Sequence, residues 1–306
     1  MARETEFEEL RPLLFSISYR MLGSVTEAED AVQETWLRYA ATSTEPQSTK
    51  AFLSATVTRI SIDVLRSARV RREAYVGPWF PEPLLTDPYQ DPERAAELSD
   101  SVSMAALLLL ERLSPLERAV FVLREVFRFE FAEVASAVGR SEAACRQLAS
   151  RARHHMQDGR QRFETDRTKR AELAERFFDA LKGGDVDGLR DLLAADAQLV
   201  NDGAGKIGGT SPIFGVDRIV RVLMIAVTPF AQIGVIVEPR EVNGRPGAII
   251  RDRDGKVVSV WTLDILDGRV QSIRSVVNPD KLGHLGPVAD AHAIIREKNQ
   301  LRRRQT

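Results

Sequence analysis

The sequence predicts a multidomain protein in which two all-α domains, the second containing a helix-turn-helix, are followed by an α+β domain. Apolar residues recur at helical spacing through the first half of the chain. Prolines interrupt that pattern between residues 76 and 98 and disfavour regular structure there. Three tight-turn dipeptides, Asn243-Gly244, Asp254-Gly255 and Asp267-Gly268, lie between β-branched segments and predict an antiparallel meander.

Composition limits the class of protein. Of the 306 residues, 43% are hydrophobic and 28% are charged, and the formal net charge is −1, which is typical of a globular chain. No apolar run approaches the ~20 residues of a membrane span, and the acidic N-terminal segment lacks the apolar core of a secretory signal. The single cysteine, Cys145, excludes an internal disulfide and a multi-cysteine zinc site. We therefore expect a cytoplasmic protein with no metal, no cofactor and no membrane partner.

The first three helices are predicted from apolar spacing together with turn and cap residues. A periodic run covers residues 7–22 and ends at Gly23. Thr26 and Glu29 have the spacing of a capping box, which predicts that a second helix begins near residue 27. A long helix is expected over residues 50–73, after a turn-rich segment.

The second helix has a mixed outward face. Asp30, Gln33 and Glu34 point away from the apolar side, and Leu37 is exposed among them. A leucine surrounded by acids and an amide resembles a small binding hot spot with a polar rim. A single exposed leucine is also ordinary on a protein surface. This face alone does not decide between the two interpretations.

The long helix carries an apolar stripe on one side and arginines on the other. Leu53 and Val57 belong to the inward stripe, whereas Arg59, Arg66 and Arg69 gather on the opposite side. Such a face is either an ordinary solvated helix or a surface for DNA phosphates.

A helix-turn-helix is predicted in the second all-α domain. Helices resume near Ser99, and a serine, proline and glutamate pattern that begins at Ser114 predicts a further helix start. Residues 130–156 then have the pattern of a helix, a turn centred on Gly139 and a second helix capped by Ser141. In this arrangement the second helix enters the major groove of DNA.

The second helix of this motif is amphipathic. Cys145 and its helical neighbours form an apolar stripe. The opposite face carries polar donors and no carboxylate, and the predicted DNA-facing residues are Arg146, Gln147, Ser150, Arg151, Arg153 and His154. The first three lie early enough in the helix to reach base edges, and the last three suit phosphates. A solvated surface helix is the alternative interpretation.

Taken in order, these helices resemble the extracytoplasmic-function (ECF) sigma factors of bacteria. The resemblance covers roughly residues 5–160 and rests on the segments EAEDAVQETWLRYA, AFLSATVTRISIDVLRSARVRR and LSPLERAVFVLREVFRFEFAEVASAVGRSEAACRQLASRAR. It implies that the outward face of the second helix docks on the clamp helices of core RNA polymerase. It also implies that residues 50–72 melt and read the −10 element of promoter DNA, and that the helix-turn-helix reads the −35 element. Such factors commonly have a basic residue where Leu148 stands, so the fine base preference is not transferable.

The resemblance continues beyond the helix-turn-helix. Three segments, WFPEPL, DGAGK and NPDKL, look like the marks of a sigma-factor subgroup with a fused SnoaL-like domain, which is a cone-shaped α+β fold around a pocket. The implied regulatory residues are Trp79, Phe80, Pro81, Glu82, Pro83, Leu84, Asp202, Gly203, Lys206, Asn278, Pro279, Asp280, Lys281 and Leu282. The usual second segment is DGGGK, so Ala204 puts in doubt any role that needs an unusual backbone angle at this position. We expect the SnoaL-like domain to hold the apolar linker and to modulate the activity of the sigma domains.

The expected domains are sigma region 2 over residues 1–75, a proline-rich linker over 76–98, sigma region 4 over 99–162, the SnoaL-like domain over 163–290 and a basic tail over 291–306. Two helices, over TKRAELAERFFDALKGG and DVDGLRDLLAA, should precede the strands of the third domain.

Enzymatic activity is not expected. Residues 163–290 contain no tyrosine, and His284 lies after the last predicted strand. Asp196, Asp202 and Asp264 could serve as bases, but none has an acid partner at a defined spacing, so we assign no catalytic residue. An alternative function, a helix-turn-helix regulator with a ligand-binding C-terminal domain, leaves the outward face of the second helix and the basic long helix without a role. Whether a small molecule binds the C-terminal domain stays open.

Overall fold

The chain divides into two compact units. A computed structural model describes residues 2–158, 166–209 and 211–305. The first unit comprises Met1–Ala74 and Thr86–Gln161, and the second comprises Tyr75–Leu85 and Arg162–Thr306. The proline-rich linker is therefore divided, because its first part packs with the C-terminal unit and its remainder with the helices. The five functional domains given above stay a prediction.

The described part of the first unit is helical. Its α-helices are α1 (Ala2–Leu22), α2 (Val25–Ala40), α3 (Thr49–Glu73), α4 (Ala95–Ser101), α5 (Met104–Leu110), α6 (Pro115–Phe121), α7 (Phe131–Val138) and α8 (Glu142–Asp158). A π-helical turn, Val122–Val126, continues α6. The helices resume at Ala95 rather than near Ser99, after a short 3₁₀ turn at Pro92–Arg94.

The capping box predicted at Thr26 is wrong. The residue that caps α2 is Ser24, which has an extended backbone (φ −127°, ψ 128°) and accepts a hydrogen bond from the N–H of Glu27. Because α2 begins at Val25, Thr26 lies inside the helix and cannot cap it.

The helix starts and the turn of the second all-α domain are confirmed. Ser114 and Glu117 form a reciprocal capping box at the start of α6. Gly139 ends α7 in the left-handed conformation (φ 65°), and Ser141 accepts a hydrogen bond from the N–H of Ala144 at the start of α8. Residues 131–158 therefore form the predicted helix-turn-helix.

A buried arginine organises the core of the first unit. Arg20 is 1% exposed. Its guanidinium donates to Asp87 (2.7 Å), to the hydroxyl of Ser101 (2.9 Å) and to the carbonyl of Ser16 (3.1 Å). This pairing satisfies a charge that would otherwise be costly to bury, and it fixes the chain after residue 86 against α1.

The second unit is α+β, as predicted. Its elements are α9 (Arg167–Gly183), α10 (Val186–Leu192), β1 (Leu193–Asp202), β2 (Ile213–Phe214), α11 (Val216–Gln232), β3 (Ile236–Val242), β4 (Arg245–Arg251), β5 (Val257–Leu266), β6 (Arg269–Val276) and α12 (Ala291–Gln305). The six strands form one sheet in the order β2-β1-β6-β5-β4-β3. Strands β3 to β6 pair antiparallel through the three predicted turns, which confirms the meander.

Two features of this sheet were not predicted. Strand β1 pairs parallel with β6, and α11 lies between β2 and β3. The segment DVDGLRDLLAA was predicted as one helix, but α10 ends at Leu192 and the chain continues directly into β1.

The core of the unit comes from apolar residues of α9, α10, α11 and four strands, including Phe177 and Phe178. Within the described residues, no helix is long and apolar enough to cross a membrane.

Candidate functional site

The predicted DNA-facing residues of α8 lie on the exposed side of the helix-turn-helix. Cys145 and Ala149 are fully buried, whereas Arg146, Gln147 and Ser150 are exposed. Arg151, Arg153 and His154 are exposed as well. The amphipathic division that the sequence predicted is therefore present, and its use on DNA remains a prediction.

Carboxylates from outside this face pair with its arginines. Arg146 bonds Glu142 one turn earlier on α8 at 2.8 Å. Arg151 bonds Glu117 of α6 at 3.1 Å, and Arg153 lies 3.9 Å from Glu125. In each pair the guanidinium is exposed, so the pair is weak and can be exchanged for a phosphate contact.

Glu117 links the cap of α6 to α8. Burial alone would raise the pKa of Glu117, but hydrogen bonds from Ser114 and Arg151 hold it below its ordinary value. The carboxylate therefore stays ionised at neutral pH and orients Arg151 beside the start of α6.

The arginines of α3 have unequal surroundings. Arg59 donates to the carbonyl oxygens of Ala137 (3.0 Å) and Ser136 (2.6 Å), at the carboxyl end of α7. Arg66 is exposed and pairs with Asp63 at 3.2 Å. The side chain of Arg69, the third predicted −10 residue, lies outside the described part of the chain. Arg59 is thus occupied by the first helix of the helix-turn-helix, at the negative end of its dipole.

The outward face of α2 matches its prediction in geometry. Leu37 is 55% exposed, and Asp30 and Gln33 are exposed beside it. Glu34 bonds Arg38 at 2.8 Å along the same helix. An apolar side chain with a polar rim is therefore available to a partner.

The three segments WFPEPL, DGAGK and NPDKL meet in the second unit. Residues 75–85 lie against the carboxyl ends of β1 and β6, and Asp202, the last residue of β1, is fully buried. Its carboxylate accepts hydrogen bonds from the backbone N–H of Phe80 (2.7 Å) and from the hydroxyl of Tyr75. We call residues 75–85 with their partners the linker clamp.

Lys281 supplies the counter-charge in the linker clamp. Its ammonium bonds Asp202 at 2.6 Å and also donates to the carbonyl of Phe80. It lies 4.3 Å from the ring centre of Trp79 and 4.8 Å from that of Tyr75, which are cation–π distances. One buried ion pair therefore holds both backbone polar groups of Phe80 and contacts the rings of Tyr75 and Trp79.

A second set of contacts fixes the far end of the linker clamp. The N–H of Leu84 donates to the side-chain oxygen of Asn243 (3.0 Å), and the N–H of Asn243 donates to the carbonyl of Leu84 (2.7 Å). His284 Nε2 lies 2.6 Å from the carbonyl oxygen of Pro83. Phe80 and Leu84 are buried by this docking (4% and 8% exposed).

Comparisons with known proteins identify the family. The family model described as "Sigma-70 region 2" matches residues 7–71, and that described as "Sigma-70, region 4" matches residues 103–156. The ECF RNA polymerase sigma factor SigJ of Mycobacterium tuberculosis is 36% identical over 288 residues, which cover 90% of this chain and 92% of SigJ. The chain belongs to the ECF RNA polymerase sigma factors.

The similarity extends over both units of this sigma factor. The crystal structure of M. tuberculosis SigJ matches with a TM-score of 0.70 and 34% identity, covering 91% of this chain and 98% of that chain. The probable ECF sigma factor SigI of M. tuberculosis is 28% identical over 280 residues, which cover 90% of this chain and 93% of SigI. The C-terminal α+β unit is therefore part of what this sigma factor shares with SigJ, and the chain belongs to a family of transcription initiation factors.

The DGAGK loop of this sigma factor adopts a left-handed backbone at Ala204. The sequence had put this conformation in doubt, because alanine replaces the usual glycine there. Ala204 adopts a left-handed conformation (φ 53°) without being glycine, and Gly205 follows at φ 70°. A Cβ atom on Gly203 would lie 1.8 Å from the carbonyl oxygen of Ile207, so only glycine fits there. Lys206 leaves the loop to pair with Asp280 at 2.6 Å.

Other members of the predicted regulatory set contribute structure around the linker clamp. Asn278 caps a 3₁₀ turn at Pro279–Lys281 and donates to the hydroxyl of Tyr75 (3.0 Å). Leu282 is fully buried, and Glu82 lies 4.0 Å from the ring of His284.

Sequence reasoning missed three residues of the linker clamp. Tyr75 precedes the WFPEPL segment, and Asn243 was assigned only to a hairpin turn. His284 was noted only for its position after the last strand. A polar aromatic residue next to an apolar linker was the one available signal, since Tyr side chains that become buried usually find a hydrogen-bond partner.

The three candidate bases have different surroundings. Asp196 is exposed on β1, Asp202 is held by the linker clamp, and Asp264 forms a buried ion pair with Arg274. Burial lowers the pKa of Arg274 to about 10, which leaves it charged at neutral pH and able to neutralise Asp264. Among the residues that the structure describes, no three His, Cys, Asp or Glu side chains are grouped to hold a metal.

Proposed function

We propose that this sigma factor directs core RNA polymerase to a two-part promoter and that its SnoaL-like domain controls the process by holding the linker between regions 2 and 4. In this proposal the outward face of α2 docks on the clamp helices of the polymerase. Helix α3 acts at the −10 element through Arg59, Arg66 and Arg69, and α8 reads the −35 element. The family membership supports the general function, and the exposed faces of α2 and α8 support the assignment of their residues.

The linker clamp is the observation that carries the regulatory part of the proposal. A free chain of eleven residues could extend to about 36–40 Å, whereas residues 75–85 are held in one shape by Asp202, Lys281 and Asn243. The separation and orientation of two binding modules depend on their tether. A clamped linker therefore restricts which promoter spacings the protein can bridge.

The contacts of Arg59 support a change of conformation on binding DNA. Its guanidinium bonds two carbonyl oxygens of α7, at Ser136 and Ala137. Contact with −10 phosphates would require these bonds to be exchanged. In this proposal the described conformation is a closed form, in which Arg59 is held by the helix-turn-helix.

Transcription with purified core polymerase tests the regulatory part. Promoter templates selected with the wild-type holoenzyme are rebuilt with the −10 to −35 spacer changed in single base-pair steps. We expect a narrow optimum for the wild type and a broader one for Asp202→Ala, because the linker is released. Asp196→Ala, an exposed aspartate on the same strand, is the matched control. Identical spacer profiles for wild type and Asp202→Ala would overturn the clamp as a regulator.

Copurification with core polymerase tests the docking face separately. Leu37→Ala should weaken binding by about 1–2 kcal/mol, as for a moderate interface truncation. Ile236→Ala is the matched control, because Ile236 is 54% exposed on the C-terminal unit and Leu37 is 55% exposed on α2. Equal retention of both variants would remove α2 from the docking assignment.

A further inference from the structure

A groove of about 440 Å³ lies between α9 and the hairpin of β3 and β4 in the SnoaL-like domain. One wall is formed by Ala171, Ala174 and Phe178 of α9, and the other includes Pro239 and Pro246 of the strands. Its size falls within the range of sites for small organic ligands, about 300–1,000 Å³. Its walls are largely apolar.

One charged side chain in this groove is unsatisfied. Arg170 lines the groove and is 5% exposed. Its Nε and Nη1 atoms are buried and have no hydrogen-bond partner among the described residues. A buried guanidinium is normally paired with a carboxylate or another acceptor, because losing its hydration is costly. A buried guanidinium without an acceptor among the described residues therefore borders the groove.

The neighbouring charges do not supply that acceptor. Glu241 bonds Arg167 at 3.0 Å. Glu175 lies five residues after Arg170 on the same helix, so it points about 140° away around the axis and ~7.5 Å further along it. Counting all lining residues, the groove has four basic side chains (Arg167, Arg170, Lys182 and Arg240) and three acidic ones (Glu175, Asp179 and Glu241). This balance favours a ligand with a single negative charge.

We propose that this groove binds a small organic carboxylate, with its carboxylate on Arg170 and its apolar body along Ala174, Phe178 and Pro246. A carboxylate supplies the negative charge and the acceptor oxygen that this guanidinium lacks, in a charge-assisted hydrogen bond. The groove also includes Gly244, the residue after Asn243, which holds Leu84 in the linker clamp. The binding proposal itself does not depend on the clamp's role in transcription.

Calorimetric titration of the full-length protein tests the proposal with defined probes. The probes are benzoate, 2-naphthoate and decanoate, with 2-naphthol as the neutral analogue and inorganic phosphate as the competing anion. We expect saturable binding of at least one carboxylate, and at least tenfold weaker binding of 2-naphthol than of 2-naphthoate. No saturable binding of any carboxylate, equal affinity for the neutral analogue, or preference for phosphate would each overturn the proposal.

Variants locate the site. Arg170→Met should weaken carboxylate binding at least tenfold, whereas Arg176→Met, on the exposed face of α9, should leave it unchanged. Ala171→Trp should also abolish binding by filling the groove while retaining the guanidinium. Without ligand, the melting temperature of Arg170→Met should equal or exceed that of the wild type, because an unpaired buried cation has been removed. A marked fall in melting temperature, or binding unchanged in both groove variants, would contradict the assignment.

Discussion

Asp202→Ala should release the linker without unfolding the rest of the C-terminal unit. The carboxylate of Asp202 is fully buried and holds the N–H of Phe80, the hydroxyl of Tyr75 and the ammonium of Lys281. The substitution removes all three acceptor contacts and leaves the Lys281 side chain, which is 9% exposed, without its counter-charge.

The expected loss follows from these contacts. Breaking a buried ion pair by removing one partner costs about 3–5 kcal/mol. The unpaired N–H of Phe80 contributes to the same loss and is not added separately, since the groups act as one network. Because ~1.4 kcal/mol corresponds to a factor of ten, exchange protection of the Phe80 amide should fall by a factor of about 10² to 10⁴.

Hydrogen–deuterium exchange of the peptide covering residues 75–85 measures this loss directly. Protection in the interior of the sheet should change little, because the linker opens locally. Asp196→Ala, exposed on the same strand, should leave the linker protected. Adding Lys281→Met to Asp202→Ala should recover part of the protection, since the uncompensated charge is then absent. Undiminished protection of the linker in Asp202→Ala would refute the clamp as described.

Three further outcomes are expected. Ala204→Gly should stabilise the protein by up to about 1 kcal/mol, because Ala204 has a positive φ that glycine adopts without steric cost; an unchanged or lower denaturant midpoint would contradict this. Arg146→Ala should reduce discrimination at particular −35 base pairs by about 1–3 kcal/mol, whereas Arg153→Ala should weaken binding to all sequences and make its salt dependence shallower; anisotropy titrations on singly substituted −35 duplexes distinguish the two. Burial, together with the hydrogen bond to Asp202, raises the pKa of Tyr75 above its unfolded value near 10. The neutral phenol therefore contributes stability that is present below about pH 10 and is lost as the pH rises further. Tyr75→Phe should flatten this loss in unfolding curves, and identical alkaline profiles for the two proteins would count against it.

Local sequence patterns determined most of the helical architecture. The capping box at Ser114, the left-handed turn at Gly139 and the apolar stripe of α8 each depend on residues within a few positions of one another. The three hairpins have the same origin, because Asn-Gly and Asp-Gly pairs favour tight turns whatever the surroundings. Local patterns did not determine which residue caps α2. Both Ser24 and Thr26 have suitable side chains, and only the backbone angle selects Ser24.

The sequence alone also indicated the family and identified the three segments that meet at the linker. Their contacts could not be derived from it, because Phe80, Asp202 and Lys281 are separated by 122 and 79 positions along the chain. The parallel pairing of β1 with β6 is likewise non-local and carries no turn signal.

Tertiary structure decided which charges are satisfied. Arg59 bonds to backbone carbonyls of a distant helix, and Asp264 is paired across the sheet with Arg274. By contrast, Arg170 is buried beside a groove with its Nε and Nη1 unpartnered among the described residues. A sequence shows that a residue is ionisable, but the cost of burying its charge depends on which acceptors the fold brings within hydrogen-bond distance.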